Sequence, residues 1–219
     1  MRALMRSVSG GRSVAVYRAQ RVVYPLPLAN RLFLCTHDAV LGSARADARL
    51  VSVALAAGLV AELISTRHVT IHAGRIRVAS IEPPYDPVCR SVADWLRHRP
   101  RFDATESLTG LADSARDAVA ERCVAVGLVT RVASRWGAAR YPACHPEAAD
   151  WLRVSLAARI RRGVATDSET VADALLQATG LRTRCLSDPP DPASLLPPPA
   201  YLALVDAVRA ATDTTVATA

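Results

Sequence analysis

The side chains able to do chemistry are sparse, and their spacing decides what they could do. Thr36-His37-Asp38 sets a hydroxyl, an imidazole and a carboxylate side by side. Adjacent side chains cannot converge as a nucleophile, its base and an orienting acid must, so the run is not read as a triad. His68 and His72 would share one face of a strand, the start of a metal pair, but no third ligand stands close in the sequence. Cys144-His145 falls at a helix start, where a thiolate gains stability, yet no base or orienting acid accompanies it at fixed spacing, and a structural cysteine is expected. "SGGRS" (residues 9–13) lacks the Lys-Ser/Thr that grips a nucleotide's phosphates, and G-x-S-x-G, H-E-x-x-H and G-x-G-x-x-G after a strand are all missing. No catalytic residue, metal or cofactor is predicted.

Charge is the stronger signal. All 27 basic residues are Arg, which with the abundant Ala points to a GC-rich, bacterial genome. The net charge is +7, but residues 1–37 hold six Arg and no acid, while the remainder has 21 Arg against 20 acids. The basic character therefore belongs to an N-terminal arm, residues 1–26, rather than to a face of the domain. Such an arm attracts anionic membrane or nucleic acid; the alternative is an unstructured tail, or a start codon called too early. The uncharged run over residues 50–61 falls short of the roughly 20 residues a bilayer needs, and the arm has no secretory apolar stretch. Five cysteines without a C-x-x-C fit reduced thiols. Together these predict a cytoplasmic protein, at most peripheral on the inner face of a membrane.

The elements that must position such residues are mostly helices. Leu28, Leu32 and Cys35 recur at helical spacing, followed by a loop over residues 38–47. Residues 50–64 form a helix apolar almost all round, with Ser52 and Glu62 its polar members, so it is expected to be buried. Residues 68–79 read as a hairpin turning at Ala73-Gly74. Asp86 with Pro87 opens a helix to Arg97. Residues 119–143 repeat the order helix, strand, turn, strand, with the turn at Trp136-Gly137. Pro146 opens another helix whose charges suit its dipole, and Thr166 with Glu169 forms a capping box for the next, which Gly180 closes. A Pro-rich linker then leads to a last helix at about residues 200–211, with a frayed tail. The fold class predicted is mainly α: a single domain around an apolar helix bundle, with two small β-hairpins. The domain spans residues 27–185, and residues 186–219 are linker and terminal helix.

Helix followed by hairpin also describes a winged-helix DNA reader. A recognition helix must offer Arg, Asn, Gln or Lys to base edges. The first copy has almost none. The second carries Asp113, Arg116, Asp117, Glu121 and Arg122, which repel phosphate as often as they attract it. A nucleic-acid partner is thus the weaker alternative.

"LANRLFLCTHD", "LVSVALAAGLVAELISTRHVTIHAGRIRV", "PPYDPVCRSVADWL", "VAERCVAVGLVTRV", "YPACHPEAADWLRVSL" and "VADALLQATGL" follow one another in an order and spacing that resemble the Golgi phosphoprotein 3 family, over residues 27–185. The resemblance implies a helical, non-enzymatic adaptor at membranes, with protein partners it does not name. Family members bind phosphatidylinositol 4-phosphate in a basic pocket and use a projecting hairpin for self-association and membrane contact. That hairpin falls on residues 128–143. Trp136 at its tip, between Arg135 and Arg140, suits either an aromatic at headgroup depth or simple turn packing. The family pocket takes a Trp from the loop before the core helix, an Arg from that helix and two Arg from a later one. Here the loop "SARADARL" has no Trp, Ala56 stands where the first Arg would, and Asp113 replaces one of the later pair. Arg116 keeps the other, and Arg45 and Arg49 are the nearest compensating cations. The predicted partner is an anionic phospholipid surface held by Arg116, Arg49 and Arg45.

Overall fold

The computed structural model describes residues 26–133, 139–186 and 196–217. The arm over residues 1–25, Arg135 and Trp136 at the second hairpin's tip, and most of the Pro-rich linker lie outside the described residues.

The elements run α1 (Leu28–Thr36), α2 (Ala48–Ser65), β1 (Val69–His72), β2 (Arg75–Val78), α3 (Pro87–Arg97), α4 (Ala104–Ala125), α5 (Pro146–Arg161), α6 (Asp167–Ala178), the single turn α7 (Arg182–Cys185), a 3-10 turn (Pro199–Tyr201) and α8 (Leu202–Ala217). The architecture is mainly α around one apolar core, as the periodicity requires.

The helix α2 is the axis of that core. Asp47 caps it by accepting from the Arg49 and Leu50 amides, one turn before the run of Val, Ala and Leu begins. α1, α4, α6 and α8 all pack against it. Burial of each Leu or Val here stabilises the fold by about 1.5–3 kcal/mol relative to exposure. Gly58 lets α1 approach closely: a Cβ there would lie 2.9 Å from the Leu32 side chain and 3.1 Å from the Ala29 Cα. Over Ala48–Ser65 the helix is long and apolar enough to cross a membrane by length and composition, a longer segment than the uncharged run marks out. In this fold the other helices occupy the place lipid would take. They equally exclude it as a recognition helix.

β1 and β2 pair antiparallel, Val69 opposite Val78 and Ile71 opposite Ile76. Ala73 and Gly74 both have positive φ, 48° and 70°, the two-residue turn that matches strand twist. The second hairpin differs from the first. Among the described residues its bridges are Val129–Ala143 and Val132–Arg140. Its return arm is shared with the loop after α1: the Tyr141 amide donates to the Gly42 carbonyl at 2.9 Å, and the Ala143 amide to the Ala39 carbonyl at 2.9 Å. Those two amides point away from the 128–132 arm, whose ladder bonds are kept (the Thr130 amide to the Pro142 carbonyl, Val132 and Arg140 with each other, the Cys144 amide to the Leu128 carbonyl). Pro142 has no N–H to complete that ladder, and no second regular sheet forms among the described residues.

The caps read from the sequence are present. Asp86 accepts from the Cys89 amide at 2.8 Å, and Thr166 and Glu169 satisfy each other's backbone at α6. At the C-terminal end the structure departs from the reading. α8 continues to Ala217 and buries Leu204, Val208 and Ala211 against α2, α4 and α6, because one face of its alanine-rich stretch is apolar. It is part of the core rather than a frayed appendage.

Candidate functional site

Two clusters of polar groups interrupt the core. The first centres on Glu62, the acid set into α2. Its Oε1 accepts from the Ala29 amide of α1 at 2.7 Å. Arg122 of α4 forks onto it, Nη1 to Oε2 at 2.8 Å and Nη2 to Oε1 at 3.0 Å. The same guanidinium donates to Asn30 Oδ1 at 2.7 Å and Asp86 Oδ2 at 3.1 Å, and the Cys89 thiol donates to Glu62 Oε2. Burial works against the Arg122 charge, but the Glu62 hydrogen bonds and the two carboxylate charges outweigh it and hold the guanidinium ionised. Glu62, Asp86 and Cys89 bring donor atoms within 4.8 Å of one another, a spacing a metal could use. Arg122 already fills the cationic place between the carboxylates, and burial drives the Cys89 thiol well above its ordinary pKa. The cluster reads as a clasp that joins α1, α2, α3 and α4. Counting Arg122 among surface charges, as the sequence alone invites, is corrected here: it is 9% exposed.

The second cluster surrounds His37, just past α1. Its Nδ1 lies 3.0 Å from the Phe33 carbonyl, an acceptor, so the proton is assigned to Nδ1. The ring stacks on Phe33 with centroids 3.9 Å apart, and Tyr141 meets Phe33 edge-on. Nε2 is buried and without a partner. His37 lines a cavity of about 10 Å³ with Phe33, Ala39, Val129, Tyr141 and Ala149, room for about one water. Desolvation first, and then the charges of Arg116 and Arg45, lower the His37 pKa to about 4 against the opposing Phe33 hydrogen bond.

Of the predicted headgroup residues, Arg45 and Arg116 come to this histidine and Arg49 does not. Arg45 Nε donates to the His37 carbonyl at 3.0 Å, while Nη2 sits 3.4 Å from Asp38 and 3.8 Å from Asp150. Its charge is thus largely matched. Arg116 is half-buried, and its Nε is enclosed without a hydrogen-bond partner. Among the described residues its guanidinium has no ion pair. Arg49 stands exposed in the first turn of α2. Asp113, one turn before Arg116, is exposed on α4, and Ala56 is fully buried. Arg140 is exposed at the base of the second hairpin, where its backbone pairs with Val132.

The other chemical candidates disperse. Asp38 turns away from the imidazole to accept from the Val40 and Leu41 amides. Nδ1 of His68 pairs with Thr66 Oγ1, and His72 is exposed. Cys144 is exposed, beside the α5 cap residue His145, whose side chain makes no cap bond. The signal for the clasp was Glu62, a lone acid in an apolar helix. The signal for the His37 cluster was the same Thr-His-Asp run, which is no triad, as expected, and whose histidine at the end of an apolar helix is buried.

Compared with known families, residues 28–214 match the profile of Golgi phosphoprotein 3 (GPP34). The chain belongs to the Golgi phosphoprotein 3 family. The match begins at the first residue of α1 and runs past Cys185 into α8, so in this Golgi phosphoprotein 3 fold the terminal helix falls within the family domain. No curated protein matches the chain.

Proposed function

We propose that this protein is a non-enzymatic adaptor that sits on an anionic membrane from the cytoplasmic side and recruits protein partners there. The observation that carries the reading is Arg116: a half-buried cation whose Nε–H is enclosed and unpartnered, beside the base of the second hairpin. A half-buried guanidinium without an ion pair among the described residues is suited to a phosphate oxygen on its exposed side, which matches its charge. Arg49 and Arg140 add exposed cations, and Arg45 braces the His37 loop. Arg135 and Trp136 at the hairpin tip, and the Arg of the N-terminal arm, extend the contact. Each Arg near a membrane surface contributes about 1 kcal/mol. Self-association would use the same hairpin. With Ala56 enclosed, Asp113 opposing phosphate and no Trp in the preceding loop, we infer a general anionic lipid rather than phosphatidylinositol 4-phosphate alone.

The test is co-sedimentation of the full chain with neutral, generally anionic, and phosphatidylinositol 4-phosphate-doped vesicles. Comparable binding to both anionic sets is expected, weakened about fivefold by Arg116→Ala, the loss of one surface cation. Binding that ignores vesicle charge, or that survives Arg116→Ala intact, overturns the reading.

A further inference from the structure

An open groove of about 300 Å³ runs between α3 and α4 with Leu59 of α2 as its floor. Val88, Val92 and Trp95 form one wall, Leu111, Ala115 and Ala118 the other. Gly110 permits the close approach of the Trp95 ring, which lies 2.8 Å from where a Cβ would stand. The groove is apolar, and its margins carry both signs. Asp94 is paired with Arg97, Glu121 with Arg131, and the Arg99 guanidinium stacks on the Trp95 ring, so Asp117 is the rim acid without an ion pair among the described residues. On α4 the stripe Gly110, Ser114, Asp117, Glu121 follows helical spacing along the rim, and on α3 Ser91 and Asp94 do the same. Asp86, at the head of α3, is 35% exposed. Tyr85, beside it, is 98% exposed and prolongs the apolar surface.

The groove head lies next to the point where the N-terminal part of the chain enters the domain. The first turn of α1 is bonded to Glu62, through the Ala29 amide, and to Arg122, through Asn30. Arg122 in turn holds Asp86, and Pro87, the next residue, is the first to line the groove. The 25 residues before Leu26 hold five Arg and no acid, together with Val14, Val16, Tyr17, Val22, Val23 and Tyr24. Eleven residues of α3 give a groove about 16 Å long, which about five extended residues span. Reach and apolar content therefore suit one occupant, and Asp117 offers one of its arginines a partner.

We propose that the α3–α4 groove is the docking site of the chain's own N-terminal segment, residues 12–25, with its valines and tyrosines over Val88, Val92 and Ala118 and an arginine against Asp117. While docked, residues 12–25 are withheld from a membrane, so the proposal bears on the arm's share of the membrane reading but not on Arg116 or the second hairpin; its test contains no lipid, so either can fail alone.

The experiment uses the full chain with Gln20→Cys, spin-labelled in a Cys144→Ser background that removes the exposed native thiol. The amide signals of Ser91, Ser114 and Ala118 are recorded by NMR with the label oxidised and reduced. Most of their intensity should be lost in the oxidised sample, and recovered when Ser114→Arg puts a cation in the groove mouth. Ser114 is exposed, so this variant keeps the core intact. Undiminished signals in the parent overturn the proposal, as does broadening that Ser114→Arg leaves unchanged. Broadening seen only on unlabelled chains mixed with labelled ones would assign the groove to a second copy instead.

Discussion

The His37 cluster makes a prediction whose sign and size both follow from the structure. The imidazole is 3% exposed, has its Nδ1 proton committed to the Phe33 carbonyl, and has no acceptor for a second proton at Nε2. Its pKa falls from 6.5 to about 4, first through burial and then through Arg116 and Arg45. Unfolded chains take up the proton first, so between those two values the unfolded state binds more protons than the native one. Stability is then constant above the unfolded pKa, falls as pH drops through the window, and levels off below the folded pKa. At about 1.4 kcal/mol per pH unit the full loss is about 3 kcal/mol, of which about 2 kcal/mol has gone by about pH 5. Urea unfolding of the wild type and His37→Asn across that window isolates the effect, since every other titrating group is common to both. The wild type should lose about 2 kcal/mol more than the variant by about pH 5. Parallel losses in the two proteins would sink the argument. A further consequence ties the histidine to the proposed membrane role. An anionic headgroup on Arg116 offsets a charge that depresses His37, so NMR titration with anionic bicelles should find its pKa raised relative to neutral ones.

The remaining predictions concern the clasp and the second hairpin. Arg122→Met strands Glu62 in a buried place and should cost about 3–5 kcal/mol in urea unfolding. Adding Glu62→Leu should recover much of that loss, because the stranded charge and not the missing pair is the main cost; strictly additive losses would contradict this. Gly42 has φ +66°, and a Cβ there would fall 2.2 Å from the backbone nitrogen of Pro142. Gly42→Ala should therefore cost well over the roughly 1–2 kcal/mol of a left-handed residue alone, with the Tyr141 and Ala143 amides losing protection in hydrogen exchange. Gly74→Ala is the control, since its φ is +70° but nothing lies within 4 Å. Equal costs at the two sites would show that the contact with Pro142 is not what constrains Gly42.

Local features were legible in the sequence because their physics is local. Asp86-Pro87 and Thr166 with Glu169 announce helix starts through bonds that reach three residues along the chain. The composition of α2 announced its burial, since a helix without a polar face has nowhere else to go. The long-range features were not legible in this way. Arg122 meets partners 36, 60 and 92 residues away, and on a helical wheel it is one more charge on a mixed helix. The second hairpin looked like a repeat of the first; Pro142, which leaves its ladder incomplete, stood in the sequence, but the loop after α1 that takes the outward Tyr141 and Ala143 amides lies far away in the chain and is not encoded in residues 128–143. Likewise the apolar face of α8 was readable but its destination was not. What the sequence determined alone was a mainly helical fold resembling the Golgi phosphoprotein 3 family and an excess of Arg in its first residues. What only the tertiary structure decided is which cations remain available. Arg122 is fixed by two carboxylates and Arg45 is matched by two others, while Arg116 is left beside a buried histidine. Whether a charge is free depends on the groups the fold brings to it, and those lie far away in the chain.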